Sequence, residues 1–270
     1  MPVSDARLPT AAVLLLAVLL LLWRGTLPLL LAVFAAIALR ASWEWAALCP
    51  RLDGARRVGL VIVLGVVLAG LSLLPTGAAR TLWMVALVWW ALALALVVRY
   101  PAVPAWLDWP SAQSAIILLA LSAAWLALAQ LADGQRDLLL VCLALVWVAD
   151  SAAYLVGRRW GRRRLCPQVS PGKTVEGLLG GLAGAALVGV VAGFILQMDR
   201  SRIVGLVVLT TLCAAVSVIG DLTESLFKRR AGVKDSSHLL PGHGGVLDRI
   251  DALIAAAPLF ALAAPLLVKH

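Results

Sequence analysis

The chain has 270 residues, of which 63% are hydrophobic and 14% charged, and its mean hydropathy is +0.99. A soluble domain is roughly half apolar and a quarter charged, so this composition excludes the ordinary soluble classes. The formal net charge of +9 fits basic loops facing anionic head groups or a polyanion and does not by itself mean nucleic-acid binding. Cys49, Cys142, Cys166 and Cys213 have no paired spacing, which speaks against a zinc site or a disulfide framework.

The apolar residues fall in blocks of about 20, the length that spans a bilayer. Ala11–Trp23 is the first; a signal peptide is the alternative, but no small-x-small cleavage site follows. Leu27–Leu48 carries Arg40 and Glu44 four apart, where the two can pair and lower the cost of either in a membrane. Further spans are Val58–Leu74, Leu82–Val98, Ser114–Leu131, Leu138–Val156, Val175–Leu196, Ile203–Leu226 and Asp248–Val268. The expected fold is therefore all-α and polytopic, with about nine transmembrane helices. Residues 1–135 form N-terminal helices without a legible motif. Residues 136–270 form a second region, which carries the polar motifs described below, with expected cytosolic loops 157–173 and 228–250, the whole making one continuous membrane domain.

Orientation follows from Lys and Arg. With the N-terminus inside, sixteen cations lie on the cytoplasmic side, among them Arg7, Arg51, Arg56, Arg57, Arg99 and the two charged loops, against six outside. That bias places the N-terminus in the cytoplasm and the C-terminus outside. Trp23, Trp83, Trp106, Trp109 and Trp160 lie near predicted helix ends, the usual place of interfacial anchors.

Two motifs precede the most polar part of the chain. Asp150-Ser-Ala-Ala-Tyr154 and Gly157-Arg158 end the sixth predicted helix, with Asp150 and Tyr154 one turn apart. The arginines from Arg158 to Arg164 read either as topological charge or as phosphate contacts. Ser170-Pro-Gly-Lys-Thr-Val-Glu-Gly177 suggests a P-loop, but Pro167 stands where the first glycine is required. Lys173 and Thr174 nevertheless sit at a helix start, where a cation, a hydroxyl and free N–H groups suit phosphate oxygens. Gly177, Gly181, Gly184, Gly189 and Gly193 then line the next helix, a spacing that serves close packing or a homodimer seam.

The stretch Gly220–Asp251 gathers five cations, five carboxylates and two of the chain's three histidines. Charge in an apolar chain is a functional-site signal by default. Asp221, Glu224, Ser225 and Lys228 share one helix face. Pro241–Gly245 is a glycine-rich turn before a new helix, a natural phosphate seat. Asp248 and Asp251, one turn apart, suit a hard divalent cation. Carboxylates, cations and a phosphate cradle point to metal-assisted chemistry on a phosphate.

Ser225, Phe227, Lys228, Arg229, Lys234, Asp235, His243, Gly244, Gly245, Asp248, Arg249 and Asp251 together resemble the signature of the phosphatidate cytidylyltransferase (CDP-diacylglycerol synthase) family. The resemblance extends to Asp150, Tyr154 and Gly157-Arg158, and to the Ser170–Gly177 element. It implies transfer of the cytidylyl group of CTP to phosphatidic acid in phospholipid biosynthesis, in a bacterial inner membrane with the site facing the cytosol. On that expectation Asp221, Lys228 and Asp248 are catalytic. Asp221, Asp248 and Asp251 hold Mg²⁺, inferred from oxygen-only ligands beside phosphate. Lys173, Thr174, Glu224, Ser225, Arg229, Lys234, His243, Gly244, Gly245, Arg249, Asp150 and Tyr154 serve the substrates. Two other readings stand beside it: a CTP-dependent transferase for another lipid or isoprenoid phosphate, and an anion transporter.

Overall fold

A computed structural model describes residues 16, 18–73, 76–237, 239 and 244–267 of the chain. Among these, eight helices are long and apolar enough to cross a membrane, and the protein is an all-α polytopic membrane protein. The helices are α1 (Leu27–Ala47), α2 (Gly54–Leu71), α3 (Thr76–Arg99), α4 (Pro110–Ala132), α5 (Arg136–Trp160), α6 (Val175–Ile195), α7 (Arg200–Arg230) and α8 (Leu247–Ala263). Residues 18–24 are also helical; the remainder of the expected Ala11–Trp23 span, and Arg7, lie outside the described residues.

Some helix starts carry side-chain caps. Asp53 accepts from Arg56 N at 2.9 Å before α2, and Asp199 accepts from Arg202 N at 3.1 Å before α7. Each cap satisfies one of the orphan donors of a first turn. α4 is apolar on every side and is the most enclosed of the spans, with most of its residues buried, as befits a helix with no polar face. Ala120, Ala123 and Ala127 on it are fully buried, and such small residues let neighbouring helices approach. α8 packs against α4, α7, α3 and α1, so the last helix is wrapped by both ends of the chain.

The glycines of α6 are used inside this chain. A Cβ on Gly177 would lie 2.8 Å from the Ala153 carbonyl oxygen of α5, and one on Gly189 would lie 2.8 Å from Val207 Cα of α7. At these positions the spacing serves packing between consecutive helices. Trp83 departs from the expectation of an interfacial anchor: it is buried and donates its indole N–H to Ala123 O at 3.2 Å. Trp23, Trp109 and Trp160 are exposed.

Between α5 and α6 the chain forms a small antiparallel hairpin, β1 (Arg164–Cys166) with β2 (Ser170–Thr174). This segment, which the sequence presents as a loop, thus delivers Lys173 from a strand directly into α6. α7 has 31 residues, about 46 Å at the helical rise, and exceeds a hydrocarbon core of about 30 Å. Its basic last turn, Lys228–Arg230, lies about 10–13 Å along the helix axis beyond Asp221.

Candidate active site

The helix face predicted from spacing exists. Lys228 on α7 places its Nζ 2.9 Å from Glu224 Oε2 and 2.7 Å from Asp248 Oδ1. All three side chains are nearly withdrawn from solvent, at 11%, 4% and 6% exposure. Desolvating charge is costly unless each group is paired and hydrogen-bonded, and here the lysine bridges two acids from different helices. Asp248 has a second set of partners: its Oδ2 accepts from Ser236 N (3.0 Å), Ser236 Oγ (2.7 Å) and Gly245 N (2.7 Å). A carboxylate in the first turn of a helix also opposes the positive end of the helix dipole. Gly244, with φ of +78°, gives the chain the left-handed turn that brings the Gly245 N–H to Asp248.

The second motif joins the same cluster. Lys173 Nζ lies 2.5 Å from Asp221 Oδ2, and Ser225 Oγ lies 3.4 Å from Asp221 Oδ1. Asp150 on α5 stands within electrostatic reach of Asp221, Lys173 and Arg249. Close packing of α5 on α6 makes this convergence: the Thr174 hydroxyl sits where a Cβ on Gly157 or Gly161 would crowd it. Thr174 is buried, and its Oγ1 accepts from Gly177 N at 3.1 Å as the cap of α6. Glu176 takes the main-chain N–H of Arg162 (2.9 Å) and of Arg163 (3.2 Å), tying the hairpin's entry to that helix.

Other candidates fall elsewhere. Tyr154 is exposed, and its hydroxyl accepts from Arg158 Nη1 at 3.3 Å. Arg158, Arg159, Arg162, Arg163 and Arg164 are all exposed, as is Lys234. Arg229 donates from Nε to Val169 O at 3.1 Å and so braces the hairpin, while Arg230 pairs with Asp108. Gly245 is buried and Arg249 exposed; His243 lies outside the described residues.

Among the described residues no three Asp, Glu, His or Cys side chains form a ready coordination shell. The donor set nonetheless suits a hard cation, since every acid in the cluster offers oxygen. Glu224 Oε1 is buried without a hydrogen-bond partner, an open acceptor beside the Lys228–Asp248 pair.

Glu44 and Ser236 are members of the site that sequence reasoning misses. Helical spacing pairs Glu44 only with Arg40, which it does meet at 2.9 Å. It also accepts from Ser237 Oγ (2.7 Å) and Leu247 N (2.7 Å), across nearly the whole chain. The one available signal is an acid in an apolar helix; nothing in the sequence names its distant partners.

A family model described as "Cytidylyltransferase family" matches residues 5–267. A phosphatidate cytidylyltransferase of Pseudomonas aeruginosa is 42% identical over 228 residues, covering 84% of each chain. One from Haemophilus influenzae is 40% identical over 281 positions, covering 94% of this chain and 96% of its own. A Synechocystis relative with the same name is 50% identical over 120 residues, which is 44% of this chain and 40% of its own.

Proposed function

The chain belongs to the cytidylyltransferase family, and from that premise we propose that it transfers the cytidylyl group of CTP to phosphatidic acid. An ionised phosphate oxygen of the lipid attacks the α-phosphorus of CTP. The bond from that phosphorus to the β-phosphate bridging oxygen breaks, giving CDP-diacylglycerol and pyrophosphate. The nucleophile is already an anion near neutral pH, so no strong general base is needed. The task is to seat two polyanions together and stabilise charge on the α-phosphate and the leaving group.

One observation carries the reading. Two lysines from separate segments, Lys173 and Lys228, meet acids of a single cluster at Asp221 and Asp248, toward the basic end of α7. Each ammonium is poised to exchange its carboxylate for a phosphate oxygen. Arg249, exposed at the start of α8, completes the anion-attracting rim, while the Gly245 N–H is held by Asp248 Oδ2 and so serves the site through that carboxylate. The depth of Asp221 suits a lipid phosphate, with CTP entering from water. Arg229, Lys234 and His243 remain candidates for the nucleotide's outer phosphates. Thr174 supports this site as the cap that presents Lys173.

Asp221, Asp248 and Asp251 would hold a divalent cation, Mg²⁺ by its preference for oxygen, with Glu224 beside them. Such an ion supplies neutralisation of the phosphates that meet there. The charge bias and the bacterial relatives support an inner-membrane location with the site facing the cytosol. Purified protein given radiolabelled CTP, phosphatidic acid and Mg²⁺ should form labelled CDP-diacylglycerol. A labelled product with an isoprenoid phosphate and none with phosphatidic acid would assign the other lipid class.

A further inference from the structure

We infer that Glu44, on α1, is a positioning residue for Asp248 and sets the turn that carries it. Its carboxylate is 1% exposed. Oε1 takes the Arg40 guanidinium at 2.9 Å and the Ser237 hydroxyl at 2.7 Å, while Oε2 takes the Leu247 N–H at 2.7 Å. Leu247 is the first residue of α8, and its preceding residue, Val246, provides no side-chain cap. The cap of the helix bearing Asp248 and Asp251 thus comes from another helix. A carboxylate there is matched to both the orphan N–H and the helix dipole.

Glu44 and Asp248 also share a neighbour. Ser236 Oγ lies 2.7 Å from Asp248 Oδ2 and 3.3 Å from Glu44 Oε2. The hydroxyl has one proton, which goes to the nearer Asp248 oxygen, so Glu44 fills the space behind the serine without competing for it. Gly245 closes the arrangement, because a Cβ there would lie 2.5 Å from Glu44 Oε2 and collide with Ser236 Oγ. Serine, glycine and helix start are therefore packed around one buried carboxylate, and Asp248 takes all three donors to its Oδ2 from that same assembly. Arg40 alone does not explain Glu44. An intrahelical pair needs neither the Ser237 nor the Leu247 contact.

This inference rests on the proposed cytidylyl transfer for its kinetic half only. Glu44→Ala and the shape-preserving Glu44→Gln are compared with the wild-type protein in full-length, detergent-solubilised form. Misplacing a reacting group by about an ångström costs up to roughly a hundredfold in rate. The expected result is a fall in kcat of that order for Glu44→Ala and of about tenfold for Glu44→Gln, with both KM values within about threefold of wild type. Hydrogen exchange supplies a readout independent of activity. The peptide containing Leu247 should exchange at least tenfold faster in Glu44→Ala, while peptides of α4 and α5 keep wild-type protection. Ser237→Ala combined with Glu44→Ala should be non-additive, since the two share a contact. Unchanged exchange at Leu247 in both Glu44 variants, or faster exchange spread evenly over all helices, would overturn the inference. So would unchanged kcat in an active wild-type background. An inactive wild-type enzyme would overturn the proposed reaction, and the exchange result would still decide the role of Glu44.

Discussion

The ammonium of Lys173, carried on a two-stranded hairpin, lies 2.5 Å from the carboxylate of Asp221, deep on α7. The contact joins two segments that the sequence separates by a whole membrane span. It makes Lys173 a member of the cluster, not a cation on a remote cytosolic loop. Lys173→Ala should raise the KM for CTP tenfold or more, because a charge-assisted bond to phosphate is worth roughly 1.5–3 kcal/mol. The KM for phosphatidic acid should move much less. Steady-state kinetics with each substrate varied in turn provide the check, and a change confined to phosphatidic acid would reassign the hairpin to the lipid head group.

Asp221→Asn and Asp248→Asn should each leave an inserted protein with kcat lowered at least about a hundredfold, the scale for losing one key electrostatic group. Asn at Asp248 retains an acceptor for Gly245 and Ser236 but cannot neutralise Lys228. Turnover near wild type in either variant, with membrane insertion confirmed, would remove that residue from the site.

Much of this site is legible in the amino-acid order itself. Hydropathy marks the helices from Leu27 onward, and the charge-rich Gly220–Asp251 stretch stands out against its surroundings. The joint face of Asp221, Glu224, Ser225 and Lys228 follows from helical period alone. The hairpin is not legible, because strands as short as Arg164–Cys166 and Ser170–Thr174 leave no periodic signal. Pro171 and Gly172 are also poor strand formers. Thr174 shows a different limit. A hydroxyl at a helix start reads equally as a phosphate ligand or as a cap, and here Thr174 Oγ1 accepts from Gly177 N as the cap. Glu44 is hidden by a sufficient local explanation, since Arg40 four residues away satisfies the pattern while its other partners lie at the far end of the chain.

Lys228→Met should destabilise the protein by about 3–5 kcal/mol, the usual cost of leaving buried charges without their partner. Glu224 and Asp248 would both lose their shared cation in a nearly dry setting. Thermal unfolding in detergent measures this. A melting temperature equal to wild type would mean that the two acids find other compensation and that Lys228 serves the substrate alone.

Gly245→Ala should lower activity at least tenfold, for a steric reason confined to one place. The added methyl would press on Glu44 Oε2 at 2.5 Å and on Ser236 Oγ, and overpacking of this kind typically costs about 1–3 kcal/mol. Gly59→Ala, where nothing lies within 4 Å of the added carbon, is the control and should retain wild-type turnover. Equal activity of the two variants would show that the turn has slack that the packing does not suggest.

The last prediction concerns sidedness, which the charge distribution alone supports. On the expectation from sixteen cations against six, the hairpin and the end of α7 should face the cytosol, where CTP is found, and the α2–α3 and α6–α7 connections should face outward. Single cysteines are introduced into a background with Cys49, Cys142, Cys166 and Cys213 replaced. Arg163→Cys and Val233→Cys, both at exposed positions, should resist a membrane-impermeant maleimide in intact cells and react in inside-out vesicles. Leu73→Cys, at a position 85% exposed, and Arg200→Cys should behave the opposite way. The expectation depends on no catalytic residue, so a dead enzyme would not blur it. Labelling of Arg163→Cys in intact cells would invert the topology, and CTP would then have no route to Lys173 from the compartment that supplies it.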